Sequence, residues 1–178
     1  ADVHAMTDKK ATPLHAACQC GRTEVALALL DKGAVVDALD NVNRAPLFLS
    51  LEMGHPKAAL ALIERSADVN MVSSDGGTPL LTAISKRFSE VALALLDKGA
   101  DVNAVDNRMN APLHLARQYG DAEVALALMY KGADVHATTD EKATPLHWAF
   151  LFGRTEADVH AMTAEKATPL HVACYYGY

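Results

Sequence analysis

A four-residue phrase that returns at a fixed spacing is the feature that most constrains what this chain can fold into. The phrase reads Thr-Pro-Leu-His or a close variant, and it begins at residues 12, 45, 78, 111 and 144, each copy 33 residues after the one before. A sixth copy begins at residue 168, only 24 residues after the fifth. A fixed period in this range predicts a stack of small units and not a domain with one central core.

Each copy of the phrase predicts the start of a helix. Thr can cap the first turn with its hydroxyl, and Pro at the next position has a suitable φ where no amide proton is needed. Leu14 and Ala17 are then three residues apart, as are Leu113 and Ala116, which places each pair on one face of a short helix. Gly21 follows where the helix should end, because glycine readily adopts the left-handed conformation.

A second apolar segment follows the first in each unit, for example Val25 to Leu30, and ends at a residue such as Gly33. An extended Ala-Asp-Val-Asn phrase then leads into the next unit, so the predicted unit is hairpin, helix, helix. The sequence therefore predicts an all-α repeat solenoid of helix-turn-helix units joined by β-hairpin-like loops. We place the units at residues 4–36, 37–69, 70–102 and 103–135, followed by a shortened unit at 136–159 and a partial one at 160–178.

The repeated phrase and its period resemble the ankyrin repeat family over nearly the whole chain. The resemblance implies a stiff, curved array that presents its hairpin tips and first helices to a partner protein. It also implies that the histidine of the phrase ties neighbouring loops together by hydrogen bonds. This role falls on His15, His114, His147 and His171.

Three departures from the family pattern carry structural expectations. Arg87 stands where the glycine between the two helices belongs, so that turn should be strained or rearranged. Ser66 stands where a glycine should end a second helix. The glycine position of the hairpin tips holds other residues in most units, which predicts a different turn geometry there. Those residues are Lys10, Asn43, Met109, Lys142 and Lys166.

The fifth unit is short, because Glu156 is followed directly by Ala157 where the first unit has nine further residues. We favour an unrecorded or disordered second helix at this junction over a true deletion. The chain also begins within a hairpin phrase and stops near the end of a first helix, so we interpret it as a fragment of a longer array or of a multidomain protein.

The sequence predicts no enzyme, cofactor or metal site. The phrase histidines recur at the repeat spacing, and packed helices lie ~10 Å apart, too far for two of them to share an ion. The formal net charge of -6 argues against a nucleic-acid partner, and no apolar run approaches the ~18 residues of a membrane span. Cys18, Cys20 and Cys174 are too few for a disulfide framework, which favours an intracellular protein, cytoplasmic or nuclear.

Aromatic residues concentrate late in the chain and predict a partner-binding site. In the family that the chain resembles, the two residues before the glycine between the helices lie on the outer, concave side of the first helix, and here these pairs change from polar to aromatic along the array. The predicted site comprises Tyr119, Leu151, Phe152, Tyr175 and Tyr176, with Trp148 and hairpin tips 107–110 and 140–142 at its rim. The alternative is that the bulky residues, Trp148 and Phe150 above all, fill the space left by the shortened unit.

Two functional classes stay open, and they differ in whether the concave face carries anchoring residues. One is a protein-binding module; the other is a structural spacer or regulatory segment of a larger protein, such as a channel, a kinase or a microbial effector. We expect a monomer. The alternative is self-association through a leucine stripe on the second helices, although we prefer that neighbouring helices cover it. The stripe consists of Leu27, Leu60, Leu93 and Leu126.

Overall fold

The computed structural model describes residues 2–74 and 76–139, and within them the chain forms four pairs of antiparallel helices. The first helices of the pairs are α1 (Pro13–Gln19), α3 (Pro46–Glu52), α5 (Pro79–Ser85) and α7 (Pro112–Tyr119). The second helices are α2 (Thr23–Asp31), α4 (Pro56–Glu64), α6 (Ser89–Asp97) and α8 (Ala122–Tyr130). No strand is assigned in this part of the chain, which agrees with the predicted all-α repeat solenoid.

The helices begin where the repeated phrase predicts. Thr12 is the N-cap of α1 and accepts a hydrogen bond from the His15 amide, and Thr78 caps α5 through the Leu81 amide. Each first helix has proline in its first turn, and Pro56 also opens α4 without breaking it. The phrase therefore acts as a helix start in all four described units.

The core lies between the two layers and is continuous along the stack. First helices pack side by side in the order α1, α3, α5, α7, and the second helices in the order α2, α4, α6, α8. In each of the four described units, the leucine of the phrase is buried between them with at most 2% of its surface exposed. These leucines are Leu14, Leu47, Leu80 and Leu113. Each burial contributes about 1.5–3 kcal/mol, so the 33-residue spacing sets where the stack is held together.

The hairpin tips are the point on which our sequence prediction was wrong. Lys10, Asn43 and Met109 adopt left-handed conformations with φ between 56° and 60°, close to the 78° of Gly76. The four described tips close with the same hydrogen bond, such as that from the Lys10 amide to the Thr7 carbonyl at 2.8 Å. Lys142 and Lys166 lie outside the described residues. The tips share one turn geometry because this bond fixes the backbone, and the contacts it makes offset the small cost of a left-handed non-glycine residue.

Candidate functional site

Tyr119 lies at the end of α7 beside a surface cleft of about 280 Å³. Its ring is partly buried and packs against the core. The cleft opens between the interhelical turns of the third and fourth units. Its lining comprises Ile84, Arg87 and Ser89 on one side and Tyr119, Gly120, Asp121 and Ala122 on the other. The predicted site residue is therefore placed where two turns meet, and it is anchored by packing.

Asp121, the acidic residue of the cleft, already accepts hydrogen bonds through both carboxylate oxygens. Asp121 caps α8 by accepting a hydrogen bond from the Val124 amide at 3.1 Å through one carboxylate oxygen. Its other oxygen accepts the Ser89 hydroxyl proton at 2.5 Å, which joins the N-termini of α6 and α8. Asp121 thus stabilises the contact between units and leaves the cleft without a free carboxylate.

Arg87 supplies the free charge of the cleft. Its side chain is exposed, and within the described residues it has no hydrogen-bond or ion-pair partner. Its backbone has φ 61°, and its amide bonds the Ile84 carbonyl at 2.9 Å. The turn is therefore strained and not rearranged, which is one of the two outcomes that the missing glycine predicts. A guanidinium that lines the same cleft as a tyrosine ring can receive a carboxylate from a partner.

The other members of the predicted site cannot be placed. Trp148, Leu151, Phe152, Tyr175 and Tyr176 lie outside the described residues, and so does hairpin tip 140–142. The tip at 107–110 is described, and Asn107, Arg108 and Met109 are all exposed there. The predicted shift from polar to aromatic pairs is therefore visible only as far as Gln118 and Tyr119.

The outer side of the first helices is not uniformly polar. Met53, the C-cap of α3, has 45% of its surface exposed, while Lys86 is exposed at the matching position of α5. Cys20 occupies the same position after α1 and is an exposed free thiol. By contrast, burial raises the pKa of the Cys18 thiol to about 12, so Cys18 behaves as a core residue.

Two of the phrase histidines make the predicted hydrogen bonds between units. His15 Nε2 donates to the Arg44 carbonyl at 3.1 Å, and its Nδ1 accepts the Thr12 amide. His114 Nε2 donates to the Ala137 carbonyl at 3.0 Å. Both rings are 1% exposed and have structural roles. His147 and His171 lie outside the described residues.

An ion pair between Asp40 and Arg44 stabilises the hairpin of the second unit. Asp40 is buried, which by itself would raise its pKa. Hydrogen bonds from the Arg44 and Val42 amides and the Arg44 side chain nevertheless hold the pKa of Asp40 below its ordinary value. Arg44 also approaches Glu52 at 4.0 Å, which links the hairpin to the end of α3. Arg44 thus connects the hairpin to the first-helix layer.

A row of exposed apolar side chains on the hairpins is the feature that our sequence analysis missed. Each member stands one residue before the four-residue turn of a hairpin, and these turns begin at residues 7, 40, 73 and 106. The members therefore recur at the 33-residue period. We call Met6, Leu39, Val72 and Val105 the apolar row; their exposed fractions are 64%, 43%, 62% and 38%. Aligning the units by the phrase and asking which apolar positions lie outside the two helices would have found it.

The leucine stripe on the second helices is covered, as preferred. Leu27, Leu60, Leu93 and Leu126 are all partly buried, and none is exposed by as much as half. Leu60 and Leu93 pack directly against the core. The covered geometry gives no support to self-association through these leucines.

Within residues 2–74 and 76–139, no three His, Cys, Asp or Glu side chains are placed to hold a metal ion. None of the described helices is both long and apolar enough to cross a membrane. The junction between Glu156 and Ala157 lies outside the described residues, so the interpretation of the short unit stays a prediction.

A family model described as ankyrin repeats (3 copies) matches the chain in four overlapping stretches, at residues 1–73, 37–106, 67–139 and 113–178. Together these stretches cover the whole sequence. No curated protein matches the chain at a significant level of similarity.

Proposed function

Because this chain belongs to the ankyrin repeat family, whose repeats are generally protein–protein interaction modules, we propose that it binds a partner protein through its hairpin tips and first helices. Arrays of this family are typically non-catalytic, and our proposal assigns no reaction, cofactor or metal to the chain. The proposal places the protein inside the cell, in the cytoplasm or nucleus, where an exposed thiol such as Cys20 stays reduced.

One observation carries the proposal. The cleft beside Tyr119 joins a ring fixed by packing to the unpaired guanidinium of Arg87. Tyrosine and arginine are the residue types most enriched among interface anchors, because they supply contact area and directed hydrogen bonds at low entropic cost. A spacer needs no such anchor, so binding is favoured over a purely structural role. The proposed surface also includes the five predicted residues that lie outside the described part of the chain.

Site-specific photo-crosslinking in cell extract tests the proposal. A photoreactive residue at Lys86, beside the cleft, should capture a discrete set of proteins, whereas one at Lys57 on α4 should not. Both lysines are exposed, which makes them matched positions on opposite layers. Capture of the same proteins from both positions would contradict a first-helix binding face.

Paired variants sharpen the test. Arg87→Ala with Tyr119→Ala should reduce capture from Lys86 at least ten-fold, the loss expected for removing one or two anchors. The control, Lys98→Ala with Tyr130→Ala, removes an exposed lysine and a 61% exposed tyrosine from the second-helix layer. It should leave capture unchanged. Equal yields from the two double variants, with equal thermal unfolding, would refute the role of the cleft.

A further inference from the structure

Three residues that line the cleft beside Tyr119 differ from their counterparts in the other described units. Arg87 occupies a position at which the other interhelical turns have glycine. The counterparts of Asp121 are Arg22, His55 and Phe88, and those of Ser89 are Thr23, Pro56 and Ala122. Among the described units, a cation, an acid and a hydroxyl group are therefore combined only at the junction where the cleft opens.

The guanidinium of Arg87 lies within reach of the Asp121 carboxylate. Arg87 stands two residues before Ser89, whose hydroxyl contacts Asp121 Oδ2 at 2.5 Å. Two residues of chain span at most ~7 Å, and an arginine side chain is long and flexible. Yet within the described part of the chain Arg87 makes no ion pair with this acid. Two opposite charges thus line one small cleft without meeting.

Two hydrogen bonds fix the orientation of the Asp121 carboxylate. Oδ1 accepts the Val124 amide at 3.1 Å within α8, and Oδ2 accepts the hydroxyl of Ser89 at the start of α6. Without that hydroxyl, Oδ2 would be a partly buried acceptor that has lost its donor, which is unfavourable. The guanidinium of Arg87 lines the same cleft and is free to replace the lost donor.

An Arg87 side chain paired within the molecule would bind a partner less well. A partner's carboxylate would have to displace Asp121, so the apparent affinity would fall by the fraction of molecules in which the guanidinium is free. Arg87 is exposed, and ion pairs of exposed groups are weak. The loss should therefore be a few-fold and not complete.

We infer that Ser89 is a positioning residue for partner binding at the cleft. Its hydroxyl holds the Asp121 carboxylate away from Arg87 and thereby keeps the guanidinium free to receive a partner's carboxylate. This inference rests on the proposed function and names a residue that sets the affinity of the same site.

NMR of the arginine side-chain Nε–H groups tests the contact without any partner. The Arg87 resonance, identified by its loss in Arg87→Ala, should be broadened by exchange with water in the parent protein. Ser89→Ala should sharpen it, because the new bond to Asp121 slows that exchange. Adding Asp121→Asn should broaden it again, since a neutral amide holds a guanidinium less tightly than a carboxylate does. A resonance that Ser89→Ala leaves unchanged would overturn the inference.

The Ser89→Ala variant should fold as the parent does. Helix α8 has Ala122 at the matching position and forms a helix of the same nine residues as α6. Thr23→Ala is the matched control, because it removes a hydroxyl group from the same position of α2, two junctions away from the cleft.

The capture assay with the photoreactive residue at Lys86 tests the consequence for binding. Ser89→Ala should reduce capture about three- to six-fold, the effect of a weak ion pair that competes for Arg87. Adding Asp121→Asn should recover most of the loss, and Thr23→Ala should leave capture unchanged. A loss that Asp121→Asn does not recover would mean that Ser89 acts only by stabilising the junction, and it would overturn the inference.

The two proposals fail in different ways. If Arg87→Ala with Tyr119→Ala loses capture but Ser89→Ala retains it, the cleft stands and the role of Ser89 is rejected. If that double variant retains capture, the proposed function is rejected, and a role of Ser89 in partner binding is rejected with it, even if the Nε–H resonance reports the contact between Arg87 and Asp121.

Discussion

Helices α2 and α6 differ only at their first residue, Thr23 against Ser89, yet they have two different settings. Glu24 to Ala34 and Glu90 to Ala100 are identical over eleven residues, and both segments form helices of nine residues. Yet Val25 is 48% exposed, whereas Val91 is 0% exposed. Among second helices α6 lies between α4 and α8, while α2 contacts α4. Burial in this array is therefore decided by the neighbouring units and not by the segment's own residues.

A buried charge should give the largest difference between the two helices. Val91→Lys would place an unpaired ammonium in the core, and we expect it to lower the free energy of unfolding by about 3–5 kcal/mol. Val25→Lys reaches solvent at the matching position and should change it by less than about 0.5 kcal/mol. Urea titration followed by far-UV circular dichroism measures both. Similar midpoints for the two variants would show that the identical segments are equivalent after all.

The interhelical turns before these helices should give intermediate effects, a loss of stability from Gly21→Ala and a gain from Arg87→Gly. Gly21→Ala forces a side chain onto φ 65°, and the new Cβ would lie 2.5 Å from His55 Nδ1. We expect a loss of about 2 kcal/mol from the left-handed strain and the displaced ring. Displacing that ring also endangers the bond from His55 Nε2 to the Gln19 carbonyl, which is 3.1 Å long.

Arg87→Gly is the reverse substitution at the matching turn. It should raise the free energy of unfolding by about 0.5 kcal/mol, since relief of strain exceeds the extra freedom of glycine in the unfolded chain. Thermal unfolding of the two single variants and the parent measures both effects. A lower melting temperature for Arg87→Gly would mean that the Arg87 side chain stabilises its turn.

The smallest effect should come from the loops that follow the two helices. After α6, Asn103 accepts the Asp134 amide at 2.8 Å and donates to the Gly132 carbonyl at 3.4 Å. At the matching position after α2, Asp37 accepts the Asp68 amide but has no proton to donate. Asp37→Asn should supply the missing donor and add about 0.5–1 kcal/mol.

Asn103→Asp is the matched control for that substitution, and it should lose a similar amount. Both variants are read from urea midpoints at pH 7. A stabilising Asn103→Asp would show that charge, and not the donated hydrogen bond, decides stability at this position.

The sequence predicted the parts of this fold that depend on one unit and its period. Thr12 and Pro13 specify a helix start by local chemistry, and the buried Leu14 follows from the spacing of the phrase. The hairpin tips were predicted wrongly because the cost of a left-handed Lys10 is visible in the sequence, whereas the bonds that offset it are visible only in the folded chain. One is the bond from the Lys10 amide to the Thr7 carbonyl within the turn, and another is the bond from the Asn41 amide of the next unit to the Lys9 carbonyl.

The candidate site likewise combines features that one unit specifies with features that depend on the neighbouring unit. Tyr119 could be singled out from its place before Gly120, but the cleft beside it requires Arg87 from the preceding turn, 32 residues away in the sequence. The exposure of the apolar row likewise depends on how consecutive hairpins stack. Residue type and phase predict which side chains are available, and the packing of neighbouring units decides what they form.

The hydrogen bonds of the phrase histidines are unevenly distributed along the array, and this has a mechanical consequence. His15 and His114 each clip a hairpin to the next one, whereas Phe48 and Leu81 occupy the matching positions in the second and third units and have no nitrogen to donate. Under a bending or pulling force, the hairpins should separate first at the two junctions that lack this hydrogen bond, between the second and third units and between the third and fourth. The pitch between Leu39, Val72 and Val105 would then be adjustable, while that between Met6 and Leu39 stays fixed.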